Sequence, residues 1–192
     1  MSVLSRAAAA LTGTVLVVLT LSVPAHADVL RHRDHRHDLI WFDGQQHSAR
    51  PRATNPDITR VTIRHGAHQV SVRVTAREVT RRTDLAVVRI ATPEGRYWVS
   101  VFLDEDYVMV MQHDQEVTCP RATASRFVRR DLVTITVPRR CLDNPRWVKV
   151  GGGVIKTGPG GTAEKGYLDV MFGGSHAGEG EKVLLSRRVA SN

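Results

Sequence analysis

Cysteine is scarce in this chain, and what little there is lacks the spacing of a redox or paired-cysteine metal motif. Only Cys119 and Cys141 occur in 192 residues, with no C-x-x-C between them, which excludes thioredoxin-type and zinc-ribbon chemistry. Aromatic residues are few. Ser175-His176 sits among glycines without a Gly-x-Ser-x-Gly elbow around the serine, so the nucleophile turn of α/β-hydrolases is missing. The glycine-rich stretch before Lys156-Thr157 fails as a phosphate-binding loop, because Ile155 stands where that motif needs glycine. No nucleotide partner is therefore expected. Internal repeats and convincing amphipathic helices are absent too.

What is present begins with an address. Met1 to Arg6 carry one positive charge ahead of an apolar or small run over residues 7–23, followed by Pro24 and then Ala25-His26-Ala27. This is the three-part pattern of a secretory signal peptide over residues 1–27, with cleavage expected between Ala27 and Asp28. The apolar run is at the short limit for a bilayer span, so no membrane segment is expected to remain in the mature chain. That chain holds 26 Lys and Arg against 19 Asp and Glu, since Arg6 is the only basic residue lost. A basic exported protein meets acidic polymers such as cell-wall teichoic acids, phospholipid headgroups or extracellular DNA. An even cysteine count outside the cytosol predicts one Cys119–Cys141 disulfide.

Residues 28–56 differ from the rest of the mature chain. Arg31-His32-Arg33-Asp34-His35-Arg36-His37-Asp38 is charged and aperiodic, and residues 48–56 are rich in Pro, Arg and small polar residues. The segment reads as a flexible basic, His-rich arm, with Leu39-Ile40-Trp41-Phe42 as a short apolar run able to dock as a strand. From residue 57 onward the chain reads as one domain to residue 192, with a loose C-terminal tail. Val61 and Ile63, then Val70, Val72, Val74 and Ala76, alternate with polar residues around a His65-Gly66 turn, which predicts a hairpin of half-buried strands. Further strands are expected over residues 85–91, 97–103, 107–112, 116–119, 132–137, 146–150 and 167–172. Such spacing predicts an all-β fold, an antiparallel β-sandwich or jelly roll. The glycine-rich stretches 151–161 and 173–180 are expected as exposed loops.

Three groups of residues suggest chemistry. His32, His35 and His37, with His47 nearby, place imidazoles close enough for zinc or copper, although alternating arginines oppose a cation there. Asp104-Glu105-Asp106 follows a strand and offers oxygen ligands for calcium, or is simply a charged turn. His113-Asp114 pairs an imidazole with a carboxylate in a turn. No catalytic residue, metal-ligand set or cofactor is assigned from these patterns. Among the tryptophans, Trp147 reads as a core plug near the disulfide. Trp98 falls on the strand face opposite Tyr97, Val99 and Val101, which makes it the residue for stacking on a sugar ring.

Residues 57–65, running into the strand at Val70 to Val74, and residues 137–150 together resemble a group of uncharacterised small secreted actinobacterial proteins. Their architecture is similar to carbohydrate-binding and DOMON-like sandwich modules. The resemblance spans roughly residues 57–172 and implies a sandwich fold, while its motifs carry no ligand residue. The function expected is that of a secreted, non-enzymatic protein binding extracellular polysaccharide or an anionic cell-wall polymer through Trp98 and arginines. The alternatives are a secreted glycan hydrolase, and an inhibitor or interaction module presenting the 151–161 loop to another secreted protein.

Overall fold

Two-residue alternation decides the architecture. In a strand, successive side chains point to opposite faces, so a valine at every second position gives each strand one apolar side to bury. The computed structural model describes residues 28–43, 46–49, 56–81, 83–157, 165–173 and 183–191. Residues 1–27, expected as a signal peptide, Ser175-His176 and most of the second glycine-rich stretch lie outside them. Among the described residues no helix is long and apolar enough to cross a membrane.

Fourteen strands are present among the described residues: β1 (Asp28–Arg33), β2 (Ile40–Asp43), β3 (Gln46–Ala49), β4 (Ile58–His65), β5 (Gln69–Ala76), β6 (Thr83–Ala91), β7 (Arg96–Phe102), β8 (Tyr107–Gln112), β9 (Gln115–Glu116), β10 (Thr123–Phe127), β11 (Leu132–Pro138), β12 (Trp147–Thr157), β13 (Lys165–Val170) and β14 (Val189–Ala190). They form a five-stranded sheet, β1-β4-β5-β11-β10, and a larger sheet, β3-β2-β13-β12-β6-β7-β8-β9, to which β14 adds at the start of β12. Every pairing is antiparallel. The sheets pack face to face as a β-sandwich. Val61, Ile63, Val72 and Val74 of the smaller sheet share one core with Val88, Ile90, Val99 and Val150 of the larger. Burial of these branched side chains supplies the main driving force, about 1.5–3 kcal/mol for each one fully removed from water. The Cys119–Cys141 disulfide forms, with Cα atoms 5.7 Å apart. It ties the chain just after β9 to the 3-10 turn after β11, at one margin of the sandwich.

Four expectations differ from the structure, each for a physical reason. The segment expected as a flexible arm supplies β1, β2 and β3: β1 pairs with β4 across six residues, and β2 inserts beside β13. Leu39, Ile40 and Phe42 are buried there, so the short apolar run anchors a segment whose flanking charge disguised it. The first glycine-rich stretch is not an exposed loop as far as Thr157. It is the middle of β12, where Gly151, Gly152 and Gly153 are buried. A Cβ at Gly152, whose φ is +138°, would lie 2.0 Å from the Val87 carbonyl oxygen, and one at Gly151 would lie 2.2 Å from that of Leu184. Glycine here permits close backbone approach rather than a turn. The C-terminal tail, where described, is attached: Val189 is fully buried and the Ser186 amide donates to the Val150 carbonyl at 2.8 Å. Trp147 is only half-buried and carries the Arg188 guanidinium 4.5 Å from its ring centre, so it is not a core plug.

Candidate functional site

Two places among the described residues concentrate chemistry, an open cleft on the larger sheet and a buried group of carboxylates. The cleft follows from register. Arg89 of β6 lies opposite Trp98 of β7, which lies opposite Met111 of β8. All three fall on the face away from the core, because their neighbours Ile90, Tyr97 and Val110 are buried in it. On the other side of Arg89 the row continues to Gly151. Having no side chain there lets residues 183–185 cross the sheet against its backbone and form a wall. The resulting cleft has a volume of about 670 Å³.

Its floor is Trp98, half-buried, with the indole Nε1–H donating to Ser100 Oγ at 3.0 Å and the Arg89 guanidinium 4.2 Å from the ring centre. The hydrogen bond and the stacked cation fix the indole plane. Arg96 stands exposed at the rim, and His113-Asp114, beside it across the β7–β8 pair, also line the cleft. Both residues of that pair have positive φ, 49° and 60°, the backbone of a tight hairpin turn between β8 and β9. Leu184 and Leu185 of the crossing segment remain exposed. Further along the same strands, Phe102 and Tyr107 extend the apolar surface, with ring centres 6.1 Å apart.

The second place lies where the β1–β2 connection meets the beginning of β4 and the side of β13. Asp34, Asp38, Asp57 and Asp169 are all buried, Asp57 and Asp169 completely. Carboxylate oxygens of Asp38, Asp57 and Asp169 lie within 4.8 Å of one another. Backbone amides position them: the His37 N–H donates to Asp57 Oδ1 at 2.9 Å, Val170 N–H to Asp169 Oδ1 at 2.9 Å, His35 N–H to Asp34 Oδ1 at 3.1 Å, and Ile58 N–H to Asp169 Oδ2. Neither oxygen of Asp38 has a hydrogen-bond partner among the described residues, and Asp57 Oδ2 has none either. Arg77 holds its Nε 3.7 Å from Asp57 Oδ2. Burial, reinforced by the neighbouring carboxylates, pushes Asp169 up to about 8 and Asp34 up to about 7, and raises Asp38 as well.

The histidines at metal-type spacing, to which no metal is assigned, do not share one environment. His35 and His37 expose their rings and contribute backbone amides to the carboxylates. His32 packs its ring 4.7 Å from Phe172, with Nε2 3.8 Å from Asp34 Oδ1. The side chain of His47 lies outside the described part of β3. Asp104, Glu105 and Asp106 form an exposed turn, in which Asp104 accepts a 2.7 Å hydrogen bond from Arg126. The same Arg126 reaches the Arg81 and Thr83 carbonyls at 2.7 and 2.9 Å, clamping the start of β6.

Sequence reasoning missed the four-aspartate group. Its one visible signal is Asp169, a carboxylate inside the otherwise apolar Leu168-Asp169-Val170-Met171 run. A charged residue within such a run needs a reason to be there.

Compared with family models, curated proteins and solved structures, the chain matches none. What the protein does is therefore read from its own residues, the cleft and the carboxylate group first among them.

Proposed function

We propose that this is a secreted, non-enzymatic binding protein that holds an anionic extracellular glycan or wall polymer in the Trp98 cleft. The observation that carries the reading is the ordered indole on the floor of an open 670 Å³ cleft, with Arg96 at its rim. A flat aromatic surface suits the apolar face of a sugar ring. An arginine beside it suits a carboxylate or phosphate through paired N–H donors. The excess of basic residues favours encounter with a polyanion. The disulfide agrees with an oxidising compartment.

A hydrolase of sugars draws little from this arrangement, because Asp114 is the one carboxylate among the lining residues and glycoside hydrolysis typically uses a pair. An inhibitor would need a projecting loop at 151–161, and that stretch is packed strand through Thr157.

The test is a binding assay of the mature protein against acidic and neutral polysaccharides, wall preparations and DNA over a salt series. Retention of one acidic glycan at about 200 mM salt is expected. Trp98→Ala should weaken that binding at all salt concentrations, and Arg96→Ala should weaken it for acidic ligands only. Binding to every polyanion alike that disappears between about 50 and 200 mM salt would reduce the interaction to charge alone. It would refute a specific site.

A further inference from the structure

We propose that Asp38, Asp57 and Asp169, with Asp34 beside them, form a binding site for a divalent cation of calcium type, which joins the two sheets and the β1–β2 connection. Asp57 immediately precedes β4 of the smaller sheet, Asp169 belongs to β13 of the larger sheet, and Asp34 and Asp38 come from the connection between β1 and β2. Three separate pieces of chain thus bring carboxylate oxygens within 4.8 Å of one another. Oxygens on opposite sides of a calcium ion, each about 2.3–2.6 Å from it, are separated by about that much. A magnesium ion would require a tighter and more regular shell.

The independent observation is Asp38. Its carboxylate is only 7 % exposed, and neither oxygen has a hydrogen-bond partner among the described residues. Burying a carboxylate without a partner is costly, and proteins tolerate it where the group is paired, protonated or bound to a metal. Backbone amides hold one oxygen of Asp57 while its other oxygen has no hydrogen bond. The group is therefore oriented by the main chain and not neutralised by it. Arg77 stands at ion-pair distance from Asp57 and is partly exposed, one positive charge against four carboxylates. The oxygen-only donor set excludes a preference for soft metals and matches a hard cation.

Such a cation would have a structural effect. It would fasten the charged N-terminal connection to both layers of the sandwich, converting mutual repulsion among the aspartates into attraction to a shared centre. Extracellular modules with sites of this kind bind calcium at about 0.1–1 mM. This site shares no residue with the Trp98 cleft, and its failure would leave the glycan reading untouched.

The experiment uses the intact mature protein, stripped with EDTA and dialysed at pH 7.5. Calorimetric titration with calcium chloride alone, with magnesium chloride as comparison, should show one calcium site of roughly millimolar affinity or tighter, and weaker magnesium binding. Thermal unfolding should shift upward by several degrees in millimolar calcium. Asp38→Asn supplies a readout that a purely structural aspartate would not give. Removing one charge from the crowd should raise the unfolding midpoint in EDTA and at the same time abolish most of the calcium-induced shift. If that variant does not fold, the wild-type titration still decides. Absence of a calcium heat and of a thermal shift would overturn the proposal and leave carboxylates that share protons. An Asp38→Asn protein with an undiminished calcium response would overturn it equally.

Discussion

Reducing the Cys119–Cys141 bridge should lower the stability of this domain by about 3 kcal/mol, and the size of the loss follows from where the bridge lies. The two cysteines are 22 residues apart in sequence. Cross-linking a loop of that length removes about 11 cal/mol/K of entropy from the unfolded chain, close to 3 kcal/mol at room temperature. The enclosed segment contains β10 and β11, the edge strand of the smaller sheet and its neighbour. Cys119 sits just beyond the edge of the larger sheet, so the bridge spans the open side of the sandwich, and the folded protein should keep its shape without it. The assay is urea unfolding followed by tryptophan fluorescence, with and without a reductant. With a urea dependence of roughly 1–3 kcal/mol per molar, the midpoint should fall by at least about 1 M. The slope should also rise slightly, because the reduced unfolded chain is more expanded. A midpoint shift below about 0.3 M, with both thiols shown to be alkylated after reduction, would refute the reasoning. It would mean that the unfolded chain is already compact around this segment.

Two further predictions concern the interior. Gly152→Ala should cost more than about 3 kcal/mol, because the new Cβ would sit 2.0 Å from the Val87 carbonyl oxygen at a φ of +138°. An alanine variant unfolding within about 1 kcal/mol of wild type in urea would show that β6 and β12 can separate more easily than their packing implies. His65 is fully buried, its Nδ1–H donates to the Val189 carbonyl at 3.0 Å, and burial, with Arg139 nearby and Asp28 opposing, holds its pKa below the usual 6.5. A depressed folded value means that the unfolded chain takes up the proton first. The stability that neutral His65 contributes is then complete above about pH 6.5 and is lost as pH falls through the folded value. His65→Gln should be less stable than wild type at pH 7.5 and lose less on acidification to about pH 5. The buried aspartates, with raised folded values, favour folding toward acid in both proteins and cancel in the comparison. Identical acid losses in the two proteins would contradict the assignment.

The fold was legible wherever one face of a strand is apolar and the other polar. Val61/Ile63, Val70/Val72/Val74 and Tyr97/Val99/Val101 each announce their inward face, and the sandwich assembles from them. Strand β10 was missed because Thr123-Ala124-Ser125-Arg126-Phe127 buries none of its side chains fully; an edge strand needs only half a pattern. Strand β1 was missed for a different reason. Val29 and Leu30 are followed at once by Arg31-His32-Arg33-Asp34, and charge density concealed a pairing made by the main chain. Glycines 151–153 read as a loop because composition cannot distinguish an open turn from a place where backbones touch. The outward face of Trp98 was read from alternation alone, and the structure adds its neighbours across the strands. The aspartate group as a whole could not be read, although Asp169 in its apolar run was visible. Its members lie up to 135 positions apart, from residue 34 to residue 169, and only the crossing of three chain segments brings them together.

Asp28 and Ala190, far apart in sequence, meet in the folded protein. The Ala190 amide donates to the Asp28 carboxylate at 3.2 Å across a sequence separation of 162, while β14 completes a pairing with β12. Strand β1, the outer strand of the smaller sheet, therefore meets a piece of chain synthesised 162 residues later. No early fragment can complete this margin of the sandwich, and the required loop closures are long, a topology associated with slow folding. A nascent chain would keep this margin open until Ala190 had emerged.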